Sequence, residues 1–368
     1  MKAITIVILY LCVLNCNQAQ VRHLWKQDHK DDTSGAWIYG GGYTDPMNGF
    51  LVGGEEVYHT TNGGLNWVIE KSGFWFIGAN EIACPKKNYA FVATEYGVSK
   101  TTDGGKTWQH KKIFKDSVVL DSRLSMFDEN NGGVVVISYN SNQPARLIIT
   151  EDGWETSREL AVPRPKGWEN LSSMGLHRVV CIAPKVYLLG IFTFKYRNMF
   201  CRTTDAGATW SFIADPTRPN RGNSVPVFRY SFINEKEGMM VGPDVDSVTK
   251  EKNIDFQLTK DGGLTWEPFA ESKMPKNVLG LIDFVYLGNG KMIYKTEFIY
   301  RTVDGGKTFS KDSVEGKPYL VGPLIHNEKG GRGGVVFAGG IWQDHGEIPI
   351  KSVMEDVSGL VRKRLHLW

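Results

Sequence analysis

Three arginines sit in short stretches that mix basic, polar and aromatic residues: Arg123 in Asp121-Ser122-Arg123, Arg178 directly after His177, and Arg229 directly before Tyr230. A guanidinium presents forked donors that match a carboxylate or a sulfate, so several of them near one point would make an acid-binding site. Trp168 and Arg221, with Arg164, Lys166 and Arg218, extend the same character. Residues of these types also populate ordinary solvated surface, and type alone leaves both readings open. The carboxylates suggest another chemistry. Glu81 and Asp283 are the leading candidates for a glycosidase pair, with Asp45 and Asp121 behind them; such a pair stands about 5 to 9.5 Å apart across a scissile bond. The eight histidines show no HxH or HExxH spacing, so metal ligation finds no support. Gly40-Gly41-Gly42 and Gly330-Gly331-Arg332-Gly333-Gly334 open strand-like runs rather than helices, which removes the helix N-terminus that cradles phosphate. No cofactor is called for.

The elements that must carry these residues are announced by a repeat. Six near-copies of one phrase run Thr60 to Trp67 (TTNGGLNW), Thr101 to Trp108 (TTDGGKTW), Thr150 to Ser157 (TEDGWETS), Thr203 to Trp210 (TTDAGATW), Thr259 to Trp266 (TKDGGLTW) and Thr302 to Phe309 (TVDGGKTF). Short apolar runs with period-2 character flank them, as in Gly49 to Gly53 and Val57 to Thr60, so each copy reads as a hairpin turn. The third-position residues Asn62, Asp103, Asp152, Asp205, Asp261 and Asp304 can accept from turn amides, and a fifth-position glycine permits positive φ. The closing Trp or Phe buries a large ring under the turn. One carboxylate per turn falls short of a calcium loop. The third positions are spaced by 41, 49, 53, 56 and 43 residues, the length of a four-stranded propeller blade.

The phrase Thr-x-Asp-x-Gly-x-Thr-Trp resembles the Asp-box, or BNR repeat, of the propellers in sialidases, xyloglucan hydrolases, sortilin-type receptors and photosystem II assembly factors. The resemblance implies an all-β, single-domain propeller of about seven four-stranded blades, with six as the fallback. A degenerate seventh unit is visible in Val335 to Trp342, Ile348 to Met354 and Glu355 to Gly359. Copy three has lost the fifth-position glycine and the closing Trp, to Trp154 and Ser157, so its blade is expected to be the least regular. Val21 to Gln27 looks like a strand following a box that is absent, and fits as the outermost strand of the last blade; Val361 to Trp368 competes for that place. In Asp-box propellers the box joins the third and fourth strands on one face, so sites belong to the opposite face. Three long segments fall there: Ala161 to Gly175, Ala214 to Pro226 and Gly242 to Asp255.

Composition narrows the class. The chain has 368 residues, 41% of them hydrophobic, with 41 glycines and a net charge of +3, which suits a turn-rich globular domain and gives no footprint for nucleic acid. Residues 1–19 read as a signal peptide, with Lys2, an apolar run from Ala3 to Leu14 and cleavage after Ala19; residues 20–368 then form the propeller of a secreted protein, periplasmic or lipid-anchored if bacterial. No later stretch is apolar enough to cross a membrane as a helix. Of the cysteines outside that leader, Cys84, Cys181 and Cys201 are an odd number; Cys181 and Cys201 fall in one blade and either bridge or act as small buried hydrophobes. Asn170 heads a glycosylation sequon, Asn170-Leu171-Ser172, relevant in a eukaryote. The expected function is a non-catalytic binder that holds a protein segment or an acidic glycan on the loop face opposite the boxes. A sialidase-type glycoside hydrolase is the alternative, and against it the Arg-Ile-Pro signature of that family is missing: Arg22 is followed by His23. A structural extracellular matrix protein is a third.

Overall fold

The computed structural model describes residues 21–29, 40–45, 47–53, 56–62, 67–72, 81–114, 119–138, 145–162, 164, 174–193, 199–214, 229–245, 252–269, 283–295, 299–311, 313–314, 324–327, 332–337 and 340–349. Among them every regular element is a strand. Trp168, Asn170, Arg221, residues 1–20 and residues 350–368 lie outside the described residues.

Six four-stranded antiparallel sheets follow one another along the chain, each pairing its strands in sequence order. The first blade holds β2 (Gly40–Tyr43), β3 (Gly49–Gly53), β4 (Glu56–Thr60) and β5 (Val68–Ser72); the second holds β6 (Glu81–Lys86), β7 (Tyr89–Ala93), β8 (Gly97–Thr101) and β9 (Gln109–Lys112). In the third are β10 (Val119–Met126), β11 (Gly132–Ser138), β12 (Arg146–Thr150) and β13 (Arg158–Leu160), and in the fourth β14 (Met174–Ala183), β15 (Val186–Thr193), β16 (Met199–Thr203) and β17 (Ser211–Ala214). The fifth comprises β18 (Arg229–Phe232), β19 (Gly238–Val245), β20 (Lys252–Thr259) and β21 (Glu267–Pro268), the sixth β22 (Asp283–Gly288), β23 (Lys291–Lys295), β24 (Ile299–Thr302) and β25 (Ser310–Lys311). These six blades form a β-propeller, which is the fallback count.

A five-stranded sheet takes the place where a seventh four-stranded unit was expected. It runs β26 (Ser313–Val314), β1 (Val21–His29), β29 (Gly340–Pro349), β28 (Arg332–Phe337), β27 (Leu324–Asn327). Its inner strand β27 lies beside both β22 and β2, so the sheet closes the ring between blades six and one. The N-terminal strand β1 pairs antiparallel with β29, from Val21 opposite Pro349 to His29 opposite Ile341. Its other edge is covered by β26, which runs parallel to it through Leu24 and Trp25 opposite Ser313 and Val314. Covering that edge leaves fewer unpaired amides to recruit another chain.

Middle strands read as continuous apolar runs because each is buried against two neighbouring blades; all five residues of β3 are buried. The core is accordingly divided among the seams. Phe50, Val52 and Val57 of blade one meet Ile82, Ala90 and Val92 of blade two, and Val135, Leu147 and Ile149 of blade three meet Leu176, Val179 and Leu189 of blade four. At the next seam Tyr230 packs edge-on against Phe200, with ring centroids 5.5 Å apart. Burial on that scale, at about 25 cal/mol per Å² of apolar surface, is what holds one blade to the next.

Three expectations are resolved here, the first and third as corrections and the second in favour of buried, unbridged cysteines. The segment Gly242 to Asp255 is mostly ladder rather than loop, since β19 and β20 stay paired from Gly242 opposite Asp255 to Val245 opposite Lys252; continued pairing satisfies backbone groups that a loop would leave to solvent. Cys181 and Cys201 are free thiols. They sit on β14 and β16, with β15 between them, and burial raises the thiol of Cys181 to about 12 and that of Cys201 further still. Third, blade three is no less regular than its neighbours: β11, β12 and β13 pair without a register shift.

Candidate functional site

Each copy of the repeated phrase joins the third and fourth strands of a blade, and five described copies share one hydrogen-bond scheme. In the second, Thr101 Oγ1 donates to Asp103 Oδ1 (2.8 Å) and accepts from Gly105 N (2.9 Å), while Thr107 donates its N–H to Asp103 Oδ1 (3.0 Å) and its hydroxyl to Oδ2 (2.6 Å). Asp152, Asp205, Asp261 and Asp304 are held alike by Thr156, Thr209, Thr265 and Thr308. Asn62 accepts from Thr60 Oγ1 (3.0 Å), and its residues 63–66 lie outside the described set. These bonds to the charged form hold the Asp103, Asp205 and Asp304 carboxyls down at about 2. Fourth as well as fifth positions take positive φ, as in Gly104 (76°) and Gly105 (95°) or Ala206 (55°) and Gly207 (86°).

The fifth position faces the preceding blade: a Cβ on Gly207 would stand 2.4 Å from Leu160 Cδ1, and one on Gly105 2.9 Å from Phe50 Cε1. In blade three that place is taken by Trp154 at φ 69°. Its ring is 2% exposed, packed with Phe91, Val98, Phe114 and Leu124, and the backbone N–H of Trp154 still donates to Thr150 Oγ1 at 2.8 Å. Burial of an indole replaces the freedom of glycine, which explains the regularity of this blade.

The turns between first and second strands lie on the same face, because fourth-position amides donate to their carbonyls: Gly104 N to Asn88 O (2.9 Å), Gly153 N to Asn130 O (2.9 Å) and Gly262 N to Lys236 O (2.7 Å). Blades one, three and five build that turn on Asp45, Asp128 and Asn234, whose Oδ1 atoms each accept two backbone N–H groups. Asp45 is therefore a turn residue on this face, not an acid at the opposite rim. A second phrase underlies these turns, DPMNG, DENNG and NEKEG. The glycine is required because the side chain before the turn folds over it: a Cβ on Gly49, Gly132 or Gly238 would meet Tyr43, Met126 or Phe232 at 2.6, 2.1 and 2.4 Å.

Cations sew the blades together on this face. Lys100 Nζ donates to Gly153 O (3.1 Å), Arg158 to Ala206 O (2.7 Å) and Arg202 Nε to Gly262 O (2.9 Å); in each case the acceptor is the fourth-position carbonyl of the next blade. Lys100 also pairs with Glu155, which Lys111 approaches to 2.6 Å, and the two lysines hold that carboxyl at about 2. Turn aspartates and carbonyls on this face are spent on the fold itself.

The opposite rim is different. Here Glu81 begins β6, Arg123 lies in β10, His177 and Arg178 in β14, Arg229 begins β18 and Asp283 begins β22. Leu176 pairs with Ile191 and Val179 with Leu189, so His177 and Arg178 together oppose Gly190. This bulge breaks the strand's alternation and re-aims a side chain: Leu176 and Val179 both enter the seam with blade three, and Arg178 is left half-buried between them. Arg178 reaches back over blade three to pair with Glu81 of blade two. The other carboxylate oxygen, Oε2, accepts the N–H of Leu124 in β10, at 2.8 Å. Three consecutive innermost strands are joined through one carboxylate. Asp283, opposite Lys295, stands four blades on from Glu81, while Glu81 is engaged by Arg178 rather than facing a second acid. Tyr230 is a seam residue against Phe200. For Arg229, His177 and Asp283 only the backbone is described. Among the described residues no group of three or more His, Cys, Asp or Glu side chains could hold a metal ion.

The solved structures that the chain resembles are β-propellers. YCF48 from Cyanidioschyzon merolae matches with TM-score 0.56 and 17% identity over 87% of this chain and 98% of that one. The extracellular domain of BT4673 from B. thetaiotaomicron gives TM-score 0.57 and 9% identity over 88% of this chain, which spans 40% of that longer one. The WD40 propeller domain of Doa1 gives 0.55 and 9%, over 89% and 98%. No protein-family profile matches the sequence, and no curated protein sequence matches it. At such identities the shared feature is the propeller fold alone.

Proposed function

We propose that this chain is a secreted, non-catalytic Asp-box propeller that holds a protein segment on the rim where its innermost strands begin. One observation carries the reading: the two faces differ in unused hydrogen-bonding capacity. On the turn face each described aspartate of the repeat is bonded within its own turn, and three basic side chains are spent on neighbouring carbonyls. On the opposite rim a bulge presents Arg178, whose one hydrogen-bonding partner among the described residues is Glu81. The connections from β13 to β14 and from β17 to β18 are long in sequence, and loops on a rigid scaffold are where binding residues collect.

Binding is favoured over hydrolysis because Glu81 is tied to a cation and a backbone amide, the opposite of a paired glycosidase acid. The test uses an oligoglutamate peptide and oligosialic acid as probes in calorimetry, beside a panel of 4-methylumbelliferyl glycosides. The reading expects the peptide to bind, Arg178→Gln to abolish binding and Asp205→Asn on the turn face to leave it unchanged. Robust glycoside turnover, or peptide binding indifferent to Arg178, refutes it; oligosialic acid alone binding makes the ligand a glycan.

A further inference from the structure

We infer that Glu81 is a resident carboxylate that occupies the acid-binding position of Arg178, and that the ligand of this rim engages Arg178 through a carboxylate of its own by displacing Glu81. The inference rests on the rim being the binding face.

Glu81 has both oxygens engaged, Oε1 by Arg178 and Oε2 by the Leu124 amide at 2.8 Å. Arg178 is only partly used: one terminal nitrogen serves Glu81, and no other partner is described for the remaining guanidinium donors. What Arg178 has left over is therefore donor capacity alone, which an acceptor-only group such as a carboxylate fits and an ammonium or guanidinium does not. Position points the same way. The pair is non-local, joining strands separated by 97 residues. Both side chains keep access to solvent, 21% for Arg178 and 16% for Glu81, so the guanidinium is neither sealed in the core nor fully hydrated. A single oxygen from Glu81 leaves the two-pronged contact that guanidinium and carboxylate favour unmade. A ligand carboxylate that makes it gains the second hydrogen bond. The displaced Glu81 keeps the Leu124 amide and turns toward water.

The resident acid then sets specificity. A weakly acidic or neutral ligand cannot compete with a tethered carboxylate, whereas a segment with a well-placed acid can. The experiment measures binding of acetate, succinate and an oligoglutamate peptide by calorimetry, together with the Arg178 Nε–H resonance in labelled protein. Glu81→Gln is expected to tighten the peptide at least fivefold and to make succinate binding measurable. Glu81→Asp, which keeps the charge but shortens the reach, is expected to move affinity the same way. In the wild-type protein the Nε–H resonance should shift on adding peptide, and in Glu81→Gln it should already be shifted before addition. Melting temperatures of both variants check folding. If both variants stay folded and bind no more tightly, Glu81 is only a brace between blades and the inference fails, while loss of binding in Arg178→Gln would leave the proposed function standing. If Arg178→Gln binds as well as wild type, both fall.

Discussion

Restoring the repeat's own consensus in blade three should weaken the protein. Trp154→Gly gives the third copy the glycine of its siblings and removes a non-glycine residue from φ 69°, a relief of about 1 to 2 kcal/mol. The indole it deletes is 2% exposed and packed among Phe91, Val98, Phe114, Leu124, Val134 and Ile148. Truncating a buried aromatic ring costs about 3 to 5 kcal/mol, because the seam relaxes only partly around the cavity. The net is a loss of about 1 to 4 kcal/mol. With an unfolding entropy of about 2.1 cal/mol/K per residue, that lowers the melting temperature of a chain this size by roughly 1 to 5 °C. Differential scanning calorimetry and the urea midpoint would both report it. Gly207→Ala is the converse control: its Cβ would stand 2.4 Å from Leu160, so it too should destabilise. A Trp154→Gly protein as stable as wild type, or more so, would refute the claim that the ring compensates for the backbone.

Acid should loosen the turns in a narrow window. Asp103, Asp205 and Asp304 have folded values of about 2 against an ordinary 3.8, so their contribution is complete above about 3.8 and is lost as pH falls toward 2; Asp205→Asn should flatten that part of a stability-against-pH curve. Removing a stitch, as in Lys100→Met or Arg202→Met, leaves the carbonyl of Gly153 or Gly262 without its cation and is expected to cost about 1 to 3 kcal/mol, read from urea unfolding. Deleting residues 21–27 removes most of β1 from between β29 and β26; a sharp fall in melting temperature is expected, and an unchanged value would count against ring closure through this strand. Thiol reagent added to the native protein should spare Cys181 and Cys201, both buried with raised thiol values, until denaturant is added.

Much of the fold was legible because its signals are local. A Thr, an Asp and a glycine within five residues make a turn by bonding to one another, so six phrases at blade-length spacing announce strands and hairpins; the expected count of about seven four-stranded blades gave way to the fallback of six, with a five-stranded sheet beside them. The turn built on Asp45, Asp128 and Asn234 was equally local, yet only the phrases DPMNG, DENNG and NEKEG betray it, and the wider variation of its middle residues hides it. Asp45 was misread for that reason, as an acid rather than as a turn cap. Trp154 misled in the opposite direction: a lost glycine looks like damage in sequence, and the seam that accepts the ring is supplied by blade two.

The candidate site was half visible. Arg178 and Glu81 each stood out by type, but not as partners. Nothing within a few residues of either specifies the other, because their meeting depends on the order of innermost strands around the axis and on a bulge at His177 and Arg178 that shows only in the pairing with Gly190. The cation stitches are similar. Lys100 and Arg202 precede a repeat threonine as His59 does in blade one, yet His59 stacks on Phe50 at 4.4 Å and its Nε2 finds no hydrogen-bond partner among the described residues. By itself the sequence determined the turns, the strands and the propeller class, since those follow from hydrogen bonds and periodicity within one blade. Only the tertiary structure decided which side chains answer one another across blades, because that depends on contacts whose partners lie tens of residues apart and are chosen by how the ring closes.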